Sequence, residues 1–137
     1  MKHKPLNILV TGSSGQVGTN LCLALLKKGH TVWGIDRRLN SWTDQIPTWQ
    51  RDIAAEGMPG LAEIAPHTQL DLVVHLAANA KVHELVENPR RAHENATTTF
   101  NVLEFCREHH LPIIFSSSRE IYGRSQPPAV AEETADV

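Results

Sequence analysis

Near the start of the chain, Thr11-Gly12-Ser13-Ser14-Gly15-Gln16-Val17-Gly18 sets its glycines in a GxxGxxG spacing. Glycine at the first position permits a tight turn, at the second a close backbone approach to a pyrophosphate, and at the third close packing of a helix on a strand. A helix opening at Gln16 would present free N–H groups and a positive dipole end to phosphates. Asp36 lies about 20 residues further on, where a carboxylate can accept both ribose hydroxyls of an adenosine and repel a 2′-phosphate. Together these residues suit a dinucleotide, and Asp36 favours NAD over NADP. Arg37 and Arg38 follow directly. An arginine here can receive a 2′-phosphate, or it can be an ordinary solvated loop residue.

Other chemistries find little support. The chain has 8 histidines, but none forms a HExxH or other paired-ligand spacing, so no metal site is expected. His109 and His110 are adjacent, cannot share a helical face, and suit a solvated helix end. Cys22 and Cys106 form no CxxC and fall in helical segments, where a free thiol behaves as a small buried hydrophobe. Free thiols place the protein in a reducing cytoplasm. With 13 basic and 15 acidic side chains, no field favours nucleic acid or an anionic membrane. MKHKPLNILV is basic and then apolar, but its short apolar run lacks the cleavage pattern of a signal peptide. No segment approaches the ~20 apolar residues that cross a bilayer.

The elements that must position the glycine turn and Asp36 follow from periodicity. Leu6 to Thr11 is a β-branched apolar run bounded by Pro5 and Gly12, a strand buried on both faces. From Gln16 to Lys28, Val17, Leu21, Ala24 and Leu25 recur at helical spacing, and Gly29 stops the helix. Thr31 to Asp36 is the next strand, completing a βαβ unit. Residues 39–48 form a loop, Trp49 to Ile53 a short edge strand, and GLAEIA a turn or two of helix. Asp71 to Ala77 is a continuous apolar strand. A connector with Glu84, Glu87 and Pro89 leads to a helix over Arg91 to His109, with Ala92, Ala96, Phe100, Leu103 and Cys106 as its apolar stripe. Leu111 to Ser117 is the fifth strand, and the tail from Gly123 is loop. Strands alternating with helices predict an α/β, doubly wound parallel sheet of Rossmann type, in strand order 3-2-1-4-5.

These residues resemble a known family. TGSSGQVG, the strand-ending Asp36, Arg51-Asp52-Ile53, His75-Leu76-Ala77-Ala78 and Ser116-Ser117-Ser118-Arg119-Glu120-Ile121-Tyr122-Gly123 occur in the order of the extended short-chain dehydrogenases/reductases. Within them the chain is similar to the NAD-dependent epimerase/dehydratase branch, typified by UDP-glucose 4-epimerase, over essentially its whole length. The resemblance implies that Gly12, Gly15 and Gly18 hold the pyrophosphate, with Gln16 and Val17 at the helix start. It puts Asp36, followed by Arg37, at the adenosine ribose, and Asp52 and Ile53 against the adenine. Leu76, Ala77 and Ala78 would run beneath the cofactor, NAD, with Asn95 in support; a polar residue that satisfies a neighbouring backbone is the structural alternative for Asn95. Ser118 matches the group that hydrogen-bonds the reacting hydroxyl of a nucleotide-sugar. Glu120 falls where dehydratases and decarboxylases carry an acid for proton transfer, and Tyr122 belongs to a structural Tyr-Gly pair.

The family's chemistry also needs a Tyr-x-x-x-Lys pair. Tyr122 is the single tyrosine, Gln126 stands four residues on, and no lysine follows Lys81. The matching pair is expected beyond Val137, with the remaining strands and the substrate-binding part, so that residues 1–137 form an incomplete dinucleotide-binding domain, truncated after its fifth strand. The alternative is a non-catalytic dinucleotide-binding or protein-interaction module. Members of the family commonly pair as homodimers through the helix after strand 4 and the tyrosine-bearing helix; with the second helix expected beyond Val137, the resemblance leaves the oligomeric state open.

Overall fold

The computed structural model describes residues 4–65 and 69–118. Five strands form one all-parallel sheet: β1 (Asn7–Thr11), β2 (Thr31–Asp36), β3 (Thr48–Gln50), β4 (Leu72–His75) and β5 (Ile113–Phe115). Their order is β3-β2-β1-β4-β5, as the alternation of elements predicts. The helices are α1 (Gln16–Lys27), α2 (Ile53–Glu56), α3 (Leu61–Ile64), α4 (Val82–Glu87) and α5 (Pro89–Glu108).

Alternation along β1 explains why that strand reads as uniformly apolar. Leu9 joins a core with Ile35, Val73, Ile53, Ile64, Val102 and Phe105. Ile8 and Val10 point the other way, into a core with Cys22, Val32 and Val74 against which Leu21, Leu25 and Leu26 of α1 pack. Each fully buried aliphatic side chain contributes about 1.5–3 kcal/mol relative to exposure. This two-sided burial holds β1 and its following turn in the middle of the sheet.

Several boundaries differ from expectation. The third strand is Thr48–Gln50, because Asp52 leaves the sheet to cap α2: its carboxylate accepts from the N–H groups of Ala54 (3.0 Å) and Ala55 (3.3 Å). Strands β4 and β5 are shorter than their apolar runs, since pairing ends at His75 with Phe115. The expected connector contains α4, and α5 begins at Pro89 with Asn88 as its cap.

The apolar stripe assigned to α5 is corrected. Ala92, Ala96, Phe100 and Leu103 are exposed, while Val102, Phe105 and Cys106 are buried. Two rows of the helix carry apolar residues, and the one facing the sheet begins with polar side chains. Asn95 bonds Asn79, Thr99 bonds His75, and Asn101 donates to the Ile53 carbonyl at 2.7 Å. Hydrophobicity alone therefore selects the wrong row. In α1 likewise, Val17 and Ala24 are exposed, and the buried row is Gly18, Thr19 and Cys22. Both cysteines are buried and free, as expected; burial pushes the Cys22 thiol up to about 11 and raises that of Cys106.

Candidate functional site

The strand ends converge on a cleft of about 470 Å³. It opens at the carboxyl ends of β1, β2 and β4, beside the point where the strand order reverses. Ligands of doubly wound sheets bind in this crevice, because the strand-to-helix turns splay apart there.

Its first wall is the glycine turn. Gly12 has φ 73°, a left-handed conformation that L side chains adopt at a cost, and a Cβ there would stand 2.9 Å from Ala77 N. The turn is closed by Gly15 N donating to Gly12 O at 3.1 Å, and Gly12 N donates to Ile35 O at 2.8 Å. Gly18 packs directly on the turn's backbone: a Cβ would overlap the Gly12 carbonyl oxygen and lie 2.9 Å from Ser13 Cα. Helix α1 starts from Gly15 with no side-chain cap and no acid in its first turn. Its leading N–H groups are thus without intrahelical or capping partners, the arrangement that receives an anion.

At the end of β2, the Asp36 carboxylate accepts from Ser14 N and Arg38 N, both at 3.0 Å. These donors orient it beside the glycine turn and leave acceptor capacity on both oxygens. The second wall is the end of β4. Thr11 Oγ1 accepts from Leu76 N and Ala77 N at 3.2 Å each, which draws the backbone of β4 against the end of β1.

Of the residues expected at the cofactor, Gly12, Gly15, Asp36, Arg37, Asp52 and Ile53 line the cleft. Leu76, Ala77, Ala78 and Asn95 complete the group that the fold brings together. Gln16 and Val17 are exposed in the first turn of α1 and Gly18 is buried behind the glycine turn; these three do not line the cleft. Ser118 is exposed, three residues beyond the end of β5, and Glu120 lies outside the described residues, as does Tyr122.

The expectations omitted a polar knot. Asn79 N donates to Asn95 Oδ1 at 2.7 Å, and Asn95 Nδ2 returns a bond to Asn79 O at 3.1 Å. Asn79 Nδ2 donates to Glu94 Oε2 at 3.1 Å, while Arg37 Nη2 donates to Asn79 Oδ1 at 2.8 Å and Arg37 Nη1 stands 3.6 Å from Glu94. Arg37 thus reaches from the end of β2 across to α5. Asn79 directly follows the His-Leu-Ala-Ala run, and that adjacency is the available signal; Glu94 gives none, since its role depends on where α5 lies. Beside this knot, Arg91 pairs with Glu84, whose carboxyl is held below its usual range chiefly by the Lys81 hydrogen bond. Among the described residues there is no group of three or more metal-ligating side chains, and no helix is long and apolar enough to cross a membrane.

Known proteins resemble this chain in sequence and in fold. The chain is 34% identical over 130 residues to UDP-glucose 4-epimerase of Neisseria meningitidis serogroup A, covering 85% of this chain and 38% of that protein. Among solved structures it is similar to a UDP-glucose-4-epimerase from Stenotrophomonas maltophila with bound NAD and formylated UDP-arabinopyranose. That likeness has a TM-score of 0.82 at 27% identity, over 96% of this chain and 43% of that one. It is also similar to Thermus thermophilus UDP-glucose 4-epimerase in complex with NAD, with a TM-score of 0.78 at 28% identity, over 95% and 43%. The chain therefore spans about two fifths of the length of these relatives. A match to a family model runs from residue 8 to 137, and on that match the chain belongs to the NAD dependent epimerase/dehydratase family.

Proposed function

We propose that this chain is the NAD-binding part of an enzyme that acts on a nucleotide-sugar by transient oxidation of a sugar hydroxyl. The observation that carries the reading is the pairing of an uncapped α1 N-terminus with the Asp36 carboxylate at one cleft. NAD, when bound, supplies the acceptor and later the donor of a hydride. The chain's own residues bind and orient. The turn of Gly12 and Gly15 takes the pyrophosphate with the backbone N–H groups of Gln16 and Val17 at the head of α1, Gly18 lets that helix pack against the turn from behind, and Asp36 accepts the adenosine ribose hydroxyls. Ile53 and Asp52 flank the adenine, Leu76 to Ala78 form the floor, and Asn95 braces that floor through Asn79. Ser118 holds the reacting sugar hydroxyl, and Glu120 serves proton transfer.

NAD is favoured over NADP by the same geometry. Asp36 repels a 2′-phosphate, and Arg37, one of the two consecutive arginines that line the cleft, is engaged by Asn79 and Glu94. Arg38 meets Asp36 through its backbone N–H. Calorimetric titration of the protein with NAD and then NADP tests both points. Saturable NAD binding at least about tenfold tighter than NADP, or ~1.4 kcal/mol, is expected. Equal affinities would remove the role given to Asp36, and no binding by a folded sample would remove the cofactor reading.

The exposed row of α5, with Phe100 62% and Leu103 46% accessible, supports a homodimer built on that face, since large apolar side chains in a row favour association. Sedimentation equilibrium should give a dimer that the double variant Phe100→Glu, Leu103→Glu dissociates. An unchanged mass would refute that pairing. The free, buried thiols support a reducing cytoplasm as its setting.

A further inference from the structure

Behind the second wall of the cleft lies His75, the one histidine among the described residues that is buried, with 1% of its surface accessible. Its hydrogen bonds determine where its proton sits. A threonine hydroxyl has one proton and two lone pairs. Both lone-pair sides of Thr11 Oγ1 face N–H donors: Ala77 N, and Leu76 N, which it shares with the Thr11 carbonyl oxygen at 3.2 Å. The Thr11 proton therefore goes to its third partner, His75 Nδ1, at 2.7 Å. Nδ1 must then be bare, and the neutral ring carries its hydrogen on Nε2, which donates to Thr99 Oγ1 of α5 at 3.3 Å. Phe115 of β5 stacks on the ring, with centroids 5.7 Å apart.

The groups that Thr11 holds are part of the site. Leu76 and Ala77 line the cleft, and Ala77 N is the atom on which Gly12 packs. A proton added to Nδ1 would face an oxygen with no lone pair to spare. Either the contact between His75 and Thr11 breaks, or Thr11 turns and releases an N–H of the cleft wall. Leu76 N–H would keep the Thr11 carbonyl oxygen, so the loss falls on the half-buried Ala77 N–H.

We propose that His75, as the neutral Nε2–H tautomer, is a positioning residue for dinucleotide binding: it orients the Thr11 hydroxyl that docks the Leu76–Ala77 backbone, and ring protonation undocks it. The inference rests on the cofactor reading given above. The elements against the ring are β1, α5 and β5, and they present Thr11, Thr99 and Phe115, none of them charged or titratable. Desolvation alone moves the group, and it holds the imidazole below its ordinary value, which keeps the neutral form through the neutral range.

Two measurements on the full-length protein test this. Long-range proton–nitrogen correlation spectra of histidine-labelled protein at about pH 7.5 should show His75 with a bare Nδ1 and a protonated Nε2. A proton on Nδ1 would overturn the proposal outright, whatever any variant does. In calorimetry, NAD affinity should fall about tenfold for each pH unit below the His75 pKa read from the same spectra, as expected when one protonation state alone is competent. His75→Asn places a non-titrating carbonyl oxygen near the position of Nδ1 and should abolish that acid-dependent loss. His75→Leu, which has no acceptor, should bind about tenfold more weakly than His75→Asn at neutral pH. An acid profile shared by His75→Asn and the parent, with NAD still bound at neutral pH, sinks the role of His75 and leaves the cofactor reading standing. No NAD binding by the parent protein at neutral pH sinks the cofactor reading itself, and this role with it.

Discussion

Replacing Gly18 with alanine sets two physical effects against each other. Gly18 lies inside α1, where alanine is favoured over glycine by about 0.8–1 kcal/mol in intrinsic helix propensity. Propensity alone therefore predicts a more stable protein. The added methyl, however, would overlap the carbonyl oxygen of Gly12 and stand 2.9 Å from both Gly12 C and Ser13 Cα. All three neighbours are backbone, so no rotamer change relieves the contact; α1 or the glycine turn must shift. Overpacking of this kind costs about 1–3 kcal/mol, occasionally more, and rigid backbone neighbours place this site at the upper end. The clash wins by about 2 kcal/mol. For a domain of this size that lowers Tm by roughly 6–10 °C. Because the displaced atoms are the pyrophosphate turn itself, NAD affinity should fall as well.

The control is Gly29→Ala. Gly29 has φ 86°, but a Cβ added there would meet nothing within 4 Å, so the substitution carries backbone strain alone, about 1–2 kcal/mol, far from the cleft. Scanning calorimetry and NAD titration on both variants separate the cases. Gly29→Ala should lose stability and keep its NAD affinity, whereas Gly18→Ala should lose both. A Gly18→Ala protein with parental or higher Tm would refute the close-packing argument, since propensity would then have prevailed.

Three further outcomes follow from the same geometry. Asp36→Asn should weaken NAD by about 1.5–3 kcal/mol, the contribution of hydrogen bonds to a charged acceptor, and narrow the gap to NADP; an unchanged ratio of the two affinities in titration would remove Asp36 from the ribose. Both thiols should resist a disulfide reagent at about pH 8 in the native protein and react on denaturation, because burial pushes Cys22 up to about 11 and raises Cys106; rapid native labelling would contradict this. Stability should also depend on His75, whose folded pKa is lowered from 6.5. Below that value the unfolded chain takes up a proton that the folded one refuses, so stability is fully present above 6.5 and is lost as pH falls toward the folded pKa. Urea titrations across this window should show the decline, and a parent protein as steep in its acid loss as His75→Leu would exclude the histidine as its source.

Much of the architecture is legible in the chain itself. Strand β1 is flanked by Pro5 and the glycine turn, its residues are apolar on both faces, and helices alternate with strands; handedness and twist then leave few topologies, of which 3-2-1-4-5 is the observed one. Asp36 and the glycines are legible for a related reason. Their roles depend on local turn geometry and on a short sequence separation within one βαβ unit. What sequence periodicity misjudged was α5, where Ala92, Ala96, Phe100 and Leu103 look like the core-facing row. The row that faces the sheet holds Asn95, Thr99 and Asn101, whose polar groups find partners on β4, on the loop after it and on α2. No one-dimensional pattern reveals a partner 16 to 48 residues away. For the same reason only the tertiary structure decided that Arg37 is engaged by Asn79 and Glu94, and that His75 Nδ1 lies 2.7 Å from the hydroxyl of Thr11, 64 residues earlier. Local rules specify the strands, turns and glycines, while the pairing of buried polar groups depends on which distant segments the sheet brings within about 3 Å of one another.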